Sequence, residues 1–274
     1  MYHYLLPLIV AIPKGYNLCI SVPINQIISR LDESIYETEI VIKCNLINDG
    51  CSILKKEKII LINNKLNQSN SENFFFENIE TFENPSYVEI DIISKDKKLI
   101  FKDNFGISFY SIFSYKNKKT FLSDNAFKTG SPNVIYQISK IKRFVDTYSA
   151  INIDFKNLLG ESMMFINPYK KKIACKVFDE DQNFKDIVVP SESVRELNLE
   201  YFARLKSNEI WKGHIQIYAT NRLITFNYKH KLNDNSIISD FEHLDPYRLE
   251  NTTYSLSELA RIKLGNFIKS SKKL

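Results

Sequence analysis

Period-two alternation of apolar and polar residues runs along most of the chain, and no other feature constrains its fold as strongly. Residues that alternate in this way place one face of a β-strand on a core and the other face in water. Turn sequences such as Asn48-Asp49-Gly50 separate the alternating segments, and few segments have helical spacing. The alternating segments are residues 36–46, 56–64, 86–94, 106–115, 161–168, 172–179 and 186–190. The pattern predicts an all-β protein made of sandwiches or barrels.

A chain of 274 residues has the length of two domains. Two short matching motifs, 82–85 (FENP) and 165–168 (FINP), lie beside alternating strands and favour an internal duplication. Coincidence in an asparagine-rich chain is the alternative, because short matches arise easily. We expect two tandem immunoglobulin-like β-sandwich domains, residues 1–135 and 136–274. Residues 129–149, around the boundary, fit a helix or a strand equally well.

Two helices are expected, a short one at residues 25–32 and a longer one at 255–270. In the second helix, Ser255 and Glu258 form a capping box, and an apolar stripe runs beside a basic polar face. This C-terminal amphipathic helix suits docking on its own protein, pairing in a homodimer, or lying on an acidic membrane. Its modest apolar stripe favours docking or dimerisation.

Composition and charge exclude several classes of function. Hydrophobic residues make up 44% and charged residues 25%, as in globular proteins, and the pI near 8.8 is below the basic footprint of a nucleic-acid-binding protein. The seven glycines form no glycine-rich loop for a phosphate or a dinucleotide. The apolar run at residues 4–12 is too short to span a membrane and lacks the flanks of a signal peptide. We therefore expect a cytoplasmic protein with no nucleic-acid partner and no membrane span.

The four cysteines are too scattered for a disulfide framework, and they include no CxxC pair for structural zinc. Cys44 and Cys51 flank Asp49-Gly50, a dipeptide that favours a two-residue hairpin turn. Such a hairpin would bring the two thiols opposite each other, and a disulfide would then require an oxidising compartment. Whether these cysteines pair is open from the sequence.

The segment 240–248 (DFEHLDPYR) is the densest group of potentially catalytic side chains. His243 and Asp245 have the H-x-D spacing of a facial iron site, but no histidine follows them to complete the ligand set. A catalytic zinc would need three ligands, and the four histidines are dispersed. No metal or other cofactor is therefore expected. Glu161, Glu242 and Asp245 are candidates for acid and base chemistry, so a hydrolase or isomerase near 240–248 is the alternative function.

The same segment also fits a polar turn. Asp245 precedes a proline, which favours turn initiation, and Arg248 lies within reach of Asp245 for an ion pair. Loops on rigid scaffolds also carry binding sites, so His243, Asp245 and Arg248 are retained as candidate ligand-binding residues.

Residues 213–230 contain the clearest alternation and predict a hairpin that turns at Asn221-Arg222. In that register Ile215 and Ile217 share a core face with Ile224 and Phe226. The opposite, exposed face carries polar side chains with a tyrosine among them, and Gln216 lies directly across from Asn227. The residues of this face are His214, Gln216, Tyr218, Thr225 and Asn227.

Such a surface suits recognition of a protein partner or a glycan, because strand side chains are held in place by the ladder and lose little entropy on binding. Each catalytic arrangement considered above lacks a member that its chemistry requires. The sequence therefore favours a non-catalytic binding or structural protein over an enzyme. It does not identify the ligand.

Overall fold

The structure is a computed structural model, and it describes residues 2–3, 8–30, 38–62, 71–94, 109–116, 118–122, 126–127, 144–206, 209–220, 223–234 and 236–244. The elements of the N-terminal half are β1 (Tyr2–His3), β2 (Leu8–Ile12), β3 (Asn17–Val22), α1 (Ile24–Arg30), β4 (Thr38–Asn48), β5 (Cys51–Ile62), β6 (Glu72–Phe76), β7 (Ser86–Ser94), β8 (Tyr110–Tyr115), β9 (Lys118–Leu122) and β10 (Ala126–Phe127). Those that follow are β11 (Phe144–Asp154), β12 (Leu159–Asn167), β13 (Ile173–Asp179), β14 (Phe184–Val189), β15 (Ser193–Asn198), α2 (Glu200–Leu205), β16 (Ile210–Ala219), β17 (Ile224–Lys231) and β18 (Ile237–Leu244).

The chain is all-β, as the alternation predicted, and its sheets are antiparallel. It divides into two compact units. The first comprises Met1–Lys128 with Ser236–His243, and the second comprises Thr129–Asn235 with Leu244–Leu274. Both helices that the structure describes are short, and neither is long and apolar enough to cross a membrane.

The first unit contains two antiparallel sheets. One has the strand order β10-β2-β7-β4-β5, with β1 beside β7, and the other has the order β6-β3-β8-β9. In the second sheet, Leu18 and Ile20 of β3 lie across from Phe76 and Phe74 of β6, and all four are buried. Phe75 lies between the two phenylalanines in sequence, faces the other way and is 51% exposed.

The hairpin of β4 and β5 turns at Asp49-Gly50, where both residues have positive φ (45° and 80°), as a two-residue hairpin turn requires. The question of whether Cys44 pairs with Cys51 is answered by the register, which does not bring the two thiols opposite each other. Cys51 lies across from Asn48, Cys44 lies across from Lys56, and both thiols are free.

In the second unit the strand order is β14-β13-β16-β11-β12-β17, with β15 on the other side of β12. The β11–β12 hairpin joins only at Asp154 and Leu159. From Ser162 onward β12 pairs with β15 in place of β11, and β17 pairs with the opposite side of β12 from Leu159 to Ile166. The core contains alternate residues of these strands together with Phe202 and Ala203 of α2. Its strand residues include Ile151, Ile153, Met163, Phe165, Cys175, Val177, Ile215 and Ile217.

The hairpin predicted at 213–230 is wrong. Both strands form, but β16 lies between β13 and β11, and β17 lies beside β12. Alternation shows which residues share a face of one strand, and it carries no information about which strand is the neighbour. Gln216 lies across from Thr147 and Phe178, and Asn227 lies across from Met163.

Both matching motifs precede a strand, Asn84-Pro85 before β7 and Asn167-Pro168 before β13, but Asn167 is also the last residue of β12. Asn167 is fully buried, and its Nδ2 donates hydrogen bonds to the carbonyl oxygens of Lys171, Val189 and Pro190. These hydrogen bonds connect the end of β12 to the segments that precede β13 and follow β14.

The short helix expected at 25–32 is confirmed as α1, and α2 was not predicted. Residues 129–143 and the helix expected at 255–270 lie outside the described residues.

Candidate functional site

The candidate site is the outer surface of β14, β13 and β16. Because Val177 and Ile217 point into the core, their neighbours along the strands point outward. Two ladder rows cross the three strands: one runs Asp186, Lys176, Tyr218 and the other Phe184, Phe178, Gln216. We call this surface the outer aromatic face: Lys176, Phe178, Phe184, Asp186, Gln216 and Tyr218.

Three rings of the outer aromatic face contact one another. The Phe178 ring meets the Tyr218 ring edge to face at 5.6 Å between centroids, and it lies 5.8 Å from the Phe184 ring in a tilted arrangement. Phe184 is 47% exposed, and Phe178 and Tyr218 are half-buried. Edge-to-face and offset contacts of this kind stabilise aromatic pairs beyond simple burial. The rings are therefore held in place while part of their surface faces solvent.

Polar groups lie beside these rings. The Lys176 Nζ is 3.5 Å from Asp186 Oδ1, and the Tyr218 hydroxyl donates a hydrogen bond to Gln216 Oε1 at 3.3 Å. The one cation and the one anion balance, so the outer aromatic face has no net charge. Next to Lys176 and Tyr218, the small Ala174 and the exposed Thr220 help to line a depression of about 530 Å³. Sites for small ligands have volumes of this order.

The residues predicted to form a binding face are divided between two environments. His214, Gln216 and Tyr218 follow one another along the outward side of β16, and all three are half-buried. Asn227 and Thr225 are buried, with 0% and 1% exposure, so their predicted place on an exposed face is wrong. His243 lies in β18, and Asp245 and Arg248 lie outside the described residues.

Asn227 belongs to a buried polar cluster around Glu161. The Asn227 Nδ2 donates to Glu161 Oε1 at 2.8 Å, the Asn152 amide donates to Glu161 Oε2 at 2.9 Å, and the Tyr148 hydroxyl donates to Asn227 Oδ1 at 3.1 Å. Burial raises the pKa of Glu161, and these donors oppose the rise. The hydrogen bonds of Glu161, which lies in β12, link this strand to β11 and β17. Because Glu161 is 0% exposed, its carboxylate does not face a substrate.

A second buried cluster contains Ser162, His230 and Glu200, which sequence reasoning did not bring together because 68 positions separate the serine from the histidine. The Ser162 Oγ lies 3.2 Å from His230 Nε2, and Glu200 Oε1 lies 3.4 Å from the same nitrogen. A catalytic triad needs the serine and the carboxylate on different ring nitrogens. Here one nitrogen faces both, and His230 Nδ1 is 3.5 Å from the Lys231 carbonyl.

This cluster is also tightly enclosed. Ser162, His230 and Glu200 are each at most 5% exposed. Gly160 faces His230 across the ladder, and a Cβ at that position would lie 2.3 Å from Glu200 Oε1. The arrangement therefore packs α2 against β12 and β17, and it leaves no room for a reacting group.

An acidic turn after β13 forms the third polar cluster. Lys206 Nζ pairs with Asp181, lies 3.2 Å from Glu180 Oε1 and lies 3.4 Å from Asp179 Oδ2. Burial alone would lower the pKa of Lys206, but the three carboxylates outweigh it and raise the pKa. The Trp211 Nε1 donates to Glu180 Oε1 at 2.7 Å.

Within the part of the chain that the structure describes, no group of histidine, cysteine and acidic side chains is arranged to hold a metal ion.

Comparisons with known proteins give no family. No protein-family model matches the chain, and no curated protein matches it. Among solved structures, the crystal structure of a serine-rich repeat protein (Srr2) from Streptococcus agalactiae matches over 81% of this chain and 84% of that chain, with 11% identity and a TM-score of 0.17. A TM-score this low does not indicate a shared fold, so the match supports no conclusion about fold or function.

Proposed function

We propose that the protein is a non-catalytic binding protein whose outer aromatic face recognises a saccharide unit of a glycan. The observation that carries the proposal is the contact group of Phe178, Phe184 and Tyr218 beside the side chains of Gln216 and Asp186. Ring faces suit the apolar C–H surface of a sugar, and amide and carboxylate groups suit its hydroxyls. The ladder holds all five side chains in position, which lowers the entropic cost of binding.

The dimensions of the site favour a glycan over a protein partner. A stable protein interface buries roughly 800 Å² on each side. The depression of about 530 Å³ instead matches the volume of a small-ligand site. The balanced charge of Lys176 and Asp186 favours an uncharged sugar, because neither a cationic nor an anionic ligand gains net attraction.

Removing the Tyr218 ring tests the proposal on a glycan array. We expect the wild type to bind a set of saccharides and Tyr218→Ala to bind them roughly 2- to 12-fold more weakly, since an aromatic contact contributes about 0.5–1.5 kcal/mol. Tyr201→Ala is the matched control, because Tyr201 is an exposed tyrosine on α2 whose contact on β14, Lys185, points to the side of the strand opposite to Phe184 and Asp186. Circular dichroism of each variant checks folding.

Three results would overturn the glycan assignment. One is an array on which the wild type binds no saccharide, and another is equal binding by the wild type and Tyr218→Ala. The third is capture of a protein that depends on Tyr218 while the array stays blank, which would make the face a protein-binding surface.

We also infer that the two units are immunoglobulin-like sandwiches. The two antiparallel sheets of the first unit support this inference.

We further infer that residues 255–270 form an amphipathic helix that pairs two copies of the chain. The capping box at Ser255 and Glu258 supports the helix. Truncation after Tyr254 should lower the mass in solution from dimer to monomer. An unchanged mass would remove the dimer from the proposal.

The cytoplasmic location expected from the sequence remains part of the proposal. Its support is that Cys19, Cys44, Cys51 and Cys175 are all free thiols, the state favoured in a reducing compartment. Cell fractionation with an antibody to the protein tests it.

A further inference from the structure

Lys176 lies inside an aromatic cage formed by its own protein. Its Nζ is 4.2 Å from the centroid of the Phe184 ring and 6.0 Å from that of Phe178, and Asp186 Oδ1 lies 3.5 Å away. Two ring faces and a carboxylate at these distances are the set of groups with which proteins recognise ammonium ligands. The cage therefore contains the groups that an ammonium ligand requires, and the ammonium group of Lys176 occupies it.

The sheet places the members of this cage. Lys176 and Phe178 are alternate residues of β13, and each lies directly across from its cage partner on β14, Asp186 and Phe184. The Phe178 and Phe184 rings contact each other at 5.8 Å, so they form one continuous wall. Cross-strand pairs are held by the ladder, so the cage persists when Lys176 is replaced.

We propose that Lys176 is a specificity-determining residue that fills the cage of Phe178, Phe184 and Asp186 and thereby excludes cationic ligands from the outer aromatic face. This inference rests on the proposed function in one respect, that the face binds a ligand at all. A tethered ammonium acts at an effective concentration in the millimolar range, which a free cation must exceed to displace it. A neutral sugar beside Tyr218 and Ala174 meets no such competition.

Replacement of Lys176 opens the cage to an external cation, for which tetramethylammonium chloride is the probe. We expect Lys176→Ala to bind it saturably with a millimolar Kd, at least twofold tighter than the wild type, by titration followed with NMR. Lys176→Arg keeps a cation in place and should bind no better than the wild type. The double variants Lys176→Ala/Phe184→Ala and Lys176→Ala/Asp186→Asn, which remove a wall or the carboxylate, should lose the gain.

Lys185→Ala is a matched control. The Lys185 Nζ lies 4.8 Å from the Tyr201 ring, a contact with one ring on α2 and outside the cage, so its removal should create no ammonium site. Lys176 is 42% exposed, and its replacement by alanine should leave the fold intact. Lys176→Ser is a second variant if the alanine form is unstable.

Equal affinity of the wild type and Lys176→Ala for tetramethylammonium would overturn the inference, as would a gain that survives loss of Phe184. The titration needs no saccharide, so it is independent of the glycan array. A blank array with a gain in Lys176→Ala overturns the proposed function alone. A positive array without that gain overturns the role of Lys176 alone.

Discussion

At the scale of single residues, Thr225 and Asn227 are polar side chains that β17 buries completely or almost completely. Both faces of β17 are buried, so the alternation of Ile224 and Phe226 with Thr225 and Asn227 does not separate core from solvent. A buried polar group is stable when it is hydrogen-bonded, and Asn227 meets this condition through Glu161 and Tyr148. Those partners come from other strands and cannot be read from a local pattern. Phe75 differs from Asn227, because β6 has one face open to solvent and the Phe75 side chain on that face is 51% exposed.

The raised pKa of Glu161 predicts a pH dependence of stability. In the window between the ordinary carboxyl pKa and the raised one, the folded protein keeps a proton that the unfolded chain has lost. The contribution of Glu161 to the free energy of unfolding therefore falls as the pH rises through this window. Glu161→Gln cannot ionise, so urea unfolding between pH 4 and pH 7 should show the wild type losing stability relative to the variant.

Glu209→Gln is the control, because Glu209 is exposed in the same unit and its replacement should leave the pH dependence of the wild type unchanged. If the stability difference between the wild type and Glu161→Gln were constant with pH, burial of an ionisable Glu161 would be refuted.

At the scale of elements, the strands themselves were predictable and their partners were not. The segments at 86–94 and 172–179 match β7 and β13 to within a residue at each end, because alternation is a property of one strand. Pairing depends on the path of the whole chain, which is why β16 and β17 were wrongly joined although β11 and β12 separate them.

For the same reason, the sequence predicted only some of the residues of the outer aromatic face. Tyr218 and Gln216 lie on one strand, whereas Phe178 and Phe184 reach them through neighbouring strands.

The β4–β5 turn was predicted from the dipeptide Asp49-Gly50, and its backbone conformation predicts the effect of replacing Gly50. Gly50 has φ of 80°, a conformation that costs a residue with a Cβ roughly 1–2 kcal/mol. Gly50→Ala should lower the free energy of unfolding by about that amount. Gly50→Asn should cost less than half as much, because asparagine tolerates positive φ. The midpoints of urea denaturation compare the two, and equal losses, or no loss with alanine, would contradict this account of the turn.

At the scale of the whole molecule, the first unit is discontinuous in sequence. It contains Met1–Lys128 and also Ser236–His243, which follow the residues of the second unit. Composition and alternation could not reveal this, because the boundary expected after residue 135 assumes that each domain is one continuous segment. The polar turn predicted at 240–248 is wrong as far as Leu244, because β18 continues to that residue, and residues 245–248 lie outside the described residues.

A fragment of residues 1–135 should therefore be less stable than the first unit in the intact chain. We expect it to melt at a lower temperature than a fragment in which residues 1–128 are joined through a flexible Gly/Ser linker to 236–244. The linked fragment with a scrambled 236–244 sequence is the control and should behave like 1–135. Equal melting temperatures for the native and scrambled versions would show that the segment contributes nothing to the first unit.

The discontinuity also has a consequence for synthesis of the protein on the ribosome. The N-terminal residues of the first unit emerge first, but their last segment follows only after roughly a hundred further residues have been made. At the usual rate of translation this delay lasts on the order of 5–20 s. During that time the nascent first unit lacks residues 236–243, and the apolar surface that this segment would contact is open to aggregation and to chaperones. Slow translation of the second unit would then lower the yield of the first.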